Sequence, residues 1–164
     1  QSQWLALDQQ PMVHILPHWN WEIHKSYQQV VDKYGDIPVR VYSNAGSVEL
    51  FLNGKSQGRK TFQEKWTSDG RKYQEGEGSD QLYLEWRLAY QPGELRAVAY
   101  DRQGQIVAED RVVTAGKAAK IGLHAEKTKL EPDGQDLLYL YFDVLDQAGN
   151  WVPSASNQLY FEIM

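Results

Sequence analysis

The stretch "QLYLEWRLAY", residues 81–90, decides how this sequence is to be read. Its apolar residues recur at every second position: Leu82, Leu84, Trp86, Leu88 and Tyr90 share one face, while Glu85 and Arg87 fall on the other. That is the period of a half-buried β-strand and not the 3.6-residue period of a helix. Working outward, Pro92-Gly93 turns the chain into "ELRAVAYD" (94–101), and Gln103-Gly104 turns it again into "QIVAEDRVVTAG" (105–116). Upstream, "PVRVYSN" (38–44) and "SVELFLN" (47–53) flank Ala45-Gly46, and Asn53-Gly54 follows as a strong hairpin signal. Short strands with turn signals at this spacing predict an all-β, antiparallel sandwich. The intervening "EKWTSDGRKYQEGEGSD" (64–80) is polar and glycine-rich, and it reads as a long loop or ragged edge.

Around "TAGKAAK" (114–120) the pattern resets, which predicts a domain boundary near residue 116. Beyond it lie "AKIGLHAEK", "DLLYLYFDVLD" and "NQLYFEIM". In the middle run Leu138, Leu140, Phe142 and Val144 share a face, opposite Tyr139, Tyr141 and Asp143, with turns at Asp133-Gly134 and "DQAGN" (146–150). About three strands fall short of the roughly seven of an immunoglobulin-like sandwich, so residues 117–164 are expected to be either the truncated start of a second one or a unit completed by the first. The chain begins at Gln1 and shows no signal-like segment, which suggests a piece excised from a longer protein. Residues 26–35, "SYQQVVDKYG", are compatible with one helical turn or a loop.

With 41% hydrophobic and 24% charged residues, the chain has the material for a packed core. Six Trp and ten Tyr favour β-structure. A net charge of -5 without a dense basic run argues against a nucleic-acid partner. There is no Cys, so disulfides and thiolate metal sites are excluded. No window approaches the ~20 apolar residues of a membrane-spanning helix.

Candidate chemistry is sparse. His14, His18 and His24 cluster in sequence but match no standard zinc spacing, and His124 lies far away. Glu49, Glu85, Glu109 and Glu162 alternate with apolar neighbours, as on the solvent face of a sheet; a retaining glycosidase needs two carboxyls about 5–5.5 Å apart across a pocket. Asp133, Asp136, Asp143, Asp146 and Asn150 lack the residue order of a calcium loop, and turn chemistry explains most of them. No nucleophile elbow or phosphate-binding glycine loop occurs. The residues themselves read as a non-catalytic β-domain that requires no cofactor.

Taken together, "HILPHWNW", "VRVYSNAGSVELFLNGKSQGRKTF", "LEWRLAYQPGELRAVAYDRQGQIVAEDRVVTAG" and "LEPDGQDLLYLYFDVLDQAGNWVPSASNQLYFEI" resemble, in this order, one region of bacterial glycoside hydrolase family two β-galactosidases. It is the region that follows the catalytic barrel. The resemblance implies a barrel-exit linker or docking segment at 1–30, an immunoglobulin-like accessory sandwich at 31–116 and the start of a second such domain at 117–164. It also implies that the catalytic glutamates lie on a barrel outside this chain, that the barrel is the chain's partner, and that the parent hydrolyses β-galactosides in a periplasmic or extracellular setting.

Trp19 and Trp21 would point to one side of an extended segment, with His18 and Asn20 opposite. Such a pair can stack on pyranose rings or plug a groove on another domain; the implied position at the barrel exit favours docking. Trp66, in the polar loop, is the other candidate sugar platform, with Asn20 and Asn53 as polar partners, whereas Trp86 reads as core and Trp151 as a cap on the second unit.

Overall fold

The computed structural model describes residues 10–21 and 35–162. The sequence readings that concern His24 and most of 26–35 fall outside those residues. Among the described residues there are ten strands and no helix. The chain divides into two compact units, Gln1–Thr114 and Ala115–Met164.

The first unit holds β1 (Val13–Leu16), β2 (Ile37–Ser43), β3 (Ser47–Leu52), β4 (Lys55–Trp66), β5 (Lys72–Gly76), β6 (Leu84–Leu88), β7 (Glu94–Tyr100) and β8 (Ile106–Val113). They form a three-stranded sheet in the order β1-β2-β6 and a five-stranded sheet in the order β5-β4-β3-β7-β8. Every pairing is antiparallel. The expected alternation is realised on β6, where Leu84, Trp86 and Leu88 are buried and Glu85 and Arg87 face outward. On β2, Ile37, Val39 and Val41 do the same. One hydrophobic cluster takes Val39, Val41, Leu84 and Trp86 from the first sheet and Val48, Leu50, Leu95 and Ala97 from the second, so the two sheets enclose a single sandwich core.

Two regions differ from the sequence reading. Within the segment assigned to a barrel-exit linker (1–30), Val13–Leu16 is β1, paired with β2 from Val13↔Ser43 to Leu16↔Arg40. Val13 and Ile15 point into the core, and four residues are too short a run for alternation to be read with force. The polar segment 64–80 is not a loop throughout. β4 continues to Trp66 and pairs with β5 from Phe62↔Gly76 to Trp66↔Lys72. This hairpin buries little apolar surface, so its sequence lacks the alternation that marks the other strands.

At the other end of the sandwich, Asn53, with φ of 51°, opens the tight turn between β3 and β4. Its side chain also bridges to the β6–β7 turn: Nδ2 donates to the Pro92 carbonyl at 3.1 Å, and Oδ1 accepts from Glu94 N–H at 2.9 Å. Gly93 sits in that turn with φ of 135°, and a Cβ there would lie 1.9 Å from Asn53 Oδ1. Only glycine fits.

The second unit contains an antiparallel pair, β9 (Ala118–Ala125) and β10 (Leu140–Asp146), extended by an isolated bridge from Leu145 to Trp151. The expected strand at the chain's end is not formed over 157–162. Register places Leu123 opposite Phe142 and Ile121 opposite Val144. On this face Ile121, Leu123 and Phe142 are each about half exposed or more.

Candidate functional site

The two tryptophans of "HILPHWNWE" lie inside the first unit. Trp19 has no exposed surface and Trp21 has 4%. The indole N–H of Trp19 donates to the Gln91 carbonyl at 2.8 Å, its own carbonyl accepts from the Thr114 hydroxyl at 2.6 Å, and its ring meets Tyr90 with centroids 5.3 Å apart. Trp21 stacks on His18 at 4.5 Å. Asn20 between them is buried as well, at 1%. Trp19, Asn20 and Trp21 are therefore enclosed together, whereas His14 and Leu16 earlier in the segment are exposed, and neither indole face is open to a sugar ring or to another domain. The i, i+2 spacing indicated that the two rings share a side; it carried no information on what fills that side.

Trp66 is placed differently. It ends β4 at the tip of the β4–β5 hairpin, opposite Lys72, and is 61% exposed. The turn beyond it is held by Thr67, whose N–H donates to the Arg71 carbonyl at 2.8 Å and whose hydroxyl bonds Asp69. Two residues back along β4, Glu64 is paired with both Lys72 and Arg102. The hydrogen bond from Lys72 holds the Glu64 carboxyl below the usual carboxylate range, with Arg102 adding to the effect and partial burial opposing it. An ion-paired arm thus presents one planar aromatic to solvent. Trp86 is core, and its N–H donates to the Gly58 carbonyl at 3.2 Å. Trp151, in the second unit, is 55% exposed.

Three of the four glutamates that sequence analysis weighed, Glu49, Glu85 and Glu109, are occupied by structural partners. Glu49 accepts from the Ser56 hydroxyl at 2.6 Å and from the Tyr100 hydroxyl at 3.4 Å. Glu85 is shared by Arg40 at 3.2 Å and Arg87 at 3.1 Å, and Glu109 lies 3.3 Å from Arg96. Glu162 is exposed near the end of the second unit. In that unit Asp133 caps the backbone N–H groups of Gln135 and Asp136 at 2.9 and 2.8 Å, as turn chemistry requires.

Asp146 is more tightly held. Its carboxylate accepts from Gly116 N–H at 2.9 Å, Asn150 N–H at 2.8 Å and the Asn150 amide at 3.0 Å. These donors, Gly116 first, lower its pKa to about 2. Among the described residues no group of three or more His, Asp or Glu side chains is placed to hold a metal ion. His14 pairs with Asp110 at 3.2 Å and His124 with Asp143 at 3.3 Å.

Comparison with known proteins gives this arrangement a context. Residues 35–108, which run from the approach to β2 into β8, match a family described as "Domain of unknown function (DUF4982)". Over 163 residues the chain is 36% identical to the beta-galactosidase BoGH2A of Bacteroides ovatus, covering 99% of this chain and 16% of that protein. It is 33% identical over 163 residues to a Formosa agariphila protein whose name refers to beta-glucuronidase, covering 13% of it. Among solved structures, a beta-glycosidase from Bacteroides vulgatus superposes with a TM-score of 0.66 at 31% identity, over 90% of this chain and 16% of that one. The chain thus spans about one sixth of the length of the relatives it matches, or less.

Proposed function

We propose that this chain, similar over most of its length to a segment of solved glycoside hydrolase family 2 members, is a non-catalytic accessory region of a β-galactoside-hydrolysing parent. In this reading the first unit is a rigid spacer packed against the parent's catalytic domain, and the second unit is the start of another immunoglobulin-like domain. The observation that carries it is the commitment of the candidate carboxylates to fixed structural partners, with Glu85 held between two guanidiniums and Glu49 between two hydroxyls. A general acid or a nucleophile needs a carboxyl facing a substrate pocket, and these face neighbouring strands.

The docking role then passes from the buried Trp19 and Trp21 to Trp66, whose ring projects from the hairpin with area enough to anchor an interface. The uncovered face of β9 and β10, with Ile121, Leu123 and Phe142, fits a half-sandwich that further polypeptide of the parent completes. The test is excision of the segment equivalent to 35–114 from a full-length parent. A lowered melting temperature with the active site otherwise intact is the expected result. Unchanged melting temperature and unchanged kinetics would refute the spacer role.

One observation favours a second reading. An exposed indole beside polar side chains is also what a carbohydrate-binding module presents, and Trp66 has that exposure. Binding of galactosides to Trp66 would be saturable and lost in Trp66→Ala.

A further inference from the structure

Asn53-Gly54 is the chain's one asparagine–glycine pair; the other asparagines, Asn20, Asn44, Asn150 and Asn157, precede Trp, Ala, Trp and Gln. Besides its turn geometry, such a pair has a chemistry of its own. The backbone nitrogen of the following residue can attack the asparagine side-chain carbonyl carbon, and glycine, with no Cβ, leaves that approach open. A bond forms from the Gly54 nitrogen to Asn53 Cγ and the Cγ–Nδ2 bond breaks. The Gly54 amide proton goes to the departing nitrogen, so ammonia leaves and a five-membered succinimide remains. Water then opens the ring at either carbonyl, giving aspartate or isoaspartate. The net change is asparagine plus water to acid plus ammonia, and no redox partner is needed.

Asn53 and Gly54 are both exposed, so water reaches them. They are the whole connection between β3 and β4, and their φ values of 51° and 78° are the positive pair of a type I′ turn. The carboxamide is nevertheless committed elsewhere. Nδ2, the nitrogen that would leave, donates to the Pro92 carbonyl at 3.1 Å, while Oδ1 accepts from Glu94 N–H at 2.9 Å. The Asn53 backbone N–H donates to the Glu94 carbonyl at 2.9 Å. The turn that receives these bonds is itself fixed: Gly93 N–H donates to the Thr114 hydroxyl at 3.0 Å, and Thr114 N–H donates to the Gly93 carbonyl at 2.8 Å. The missing Cβ of Gly93 leaves the space that Asn53 Oδ1 fills. Both polar ends of the carboxamide are thus held on the β6–β7 turn, away from the chemistry that its own neighbour invites.

We propose that Asn53 is a site of spontaneous deamidation gated by the docking of the β3–β4 turn on the β6–β7 turn. While the turns are docked, the carboxamide is withheld from the Gly54 nitrogen. Reaction proceeds from the minor state in which they have separated, so its rate reports the population of that local opening. The step runs one way. Aspartate has no N–H for the Pro92 carbonyl. Isoaspartate adds a main-chain methylene to a two-residue turn, whose length sets Leu52 opposite Lys55. Each event therefore loosens this end of the sandwich for good. The inference rests on the two turns and is independent of the accessory role.

The test is timed incubation of the 164-residue chain in mildly alkaline buffer, with conversion at each asparagine read by peptide mass spectrometry. The same chain unfolded in guanidinium chloride gives the ungated rate. Expected is that Asn53 reacts first of all the asparagines when unfolded, and at least about tenfold more slowly when folded; tenfold corresponds to about 1.4 kcal/mol of opening free energy. Gly93→Ala, which drives a Cβ into Asn53 Oδ1, should recover most of that difference while the methyl signals of Val39 and Val41 stay folded. If that variant loses the folded signals, Thr114→Val, which removes the acceptor of Gly93 N–H, is read in the same way. Unchanged rates at Asn150 and Asn157 separate opening of the two turns from general unfolding. Equal Asn53 rates in the folded and unfolded chain, or a folded variant that reacts no faster than the unaltered chain, would overturn the gate. Another asparagine reacting first in the unfolded chain would overturn the site.

Discussion

Replacing Trp19 with alanine tests the reassignment of the tryptophan pair most sharply. Its indole is fully buried, bonded to the Gln91 carbonyl at 2.8 Å and packed on Tyr90. Truncating a buried tryptophan costs about 3–5 kcal/mol through lost transfer energy and the cavity left behind. Loss of the N–H donor leaves the Gln91 carbonyl without that partner, a cost of about 1–3 kcal/mol, and the aromatic contact adds about 0.5–1.5 kcal/mol. These terms overlap, so we place the effect at the upper end, about 4–5 kcal/mol. Set against the ~5–15 kcal/mol total stability of ordinary domains, that leaves the first unit close to unfolding. Urea titration should be read from the methyl resonances of Val39 and Val41, which report on this unit alone. Trp66→Ala is the matched comparison: an exposed indole of the same size whose removal should change stability by no more than about 0.5 kcal/mol. A loss below about 1 kcal/mol for Trp19→Ala would refute the core assignment and return the pair to an external role.

Further outcomes follow from other contacts. Gly93→Ala should destabilise the first unit by about 2–3 kcal/mol in urea titration, because the new Cβ would meet Asn53 Oδ1 and the backbone has φ of 135°. The folded pKa of Asp146 is depressed to about 2, so the stability this carboxylate contributes is present above its unfolded value near 4 and is lost as pH falls through the folded one. Acid titration should therefore loosen the second unit between roughly pH 4 and 2, and Asp146→Asn should flatten that response when followed by the amide signals of Gly116 and Asn150. The uncovered apolar face of β9 and β10 should bind a hydrophobic dye such as ANS, and a chain ending at Thr114 should lose most of that signal.

How far the sequence carried these assignments depended on what each segment buries. β6 was legible because Leu84, Trp86 and Leu88 all enter one core while Glu85 and Arg87 stay wet. The Asn53-Gly54 and Pro92-Gly93 turns were legible from backbone chemistry, although their mutual docking through the Asn53 side chain was not. The β4–β5 hairpin escaped notice because it is held by backbone pairing and by the Glu64–Lys72–Arg102 ion pairs, neither of which leaves an apolar period. In the second unit the alternation along β10 sets Leu140 and Phe142 apart from Tyr141, yet among the described residues no layer covers either face, so the period alone does not tell what is buried.

The most direct test of the accessory reading is a titration of the indole N–H resonances with lactose and longer neutral galactosides, up to tens of millimolar. The account predicts no saturable shift at the indoles of Trp19, Trp21, Trp66 and Trp86: Trp19, Trp21 and Trp86 are sealed in the core, and the role proposed for Trp66 is docking to protein. A saturable shift at Trp66 that disappears in Trp66→Phe would contradict it and make the hairpin tip a galactoside-binding platform.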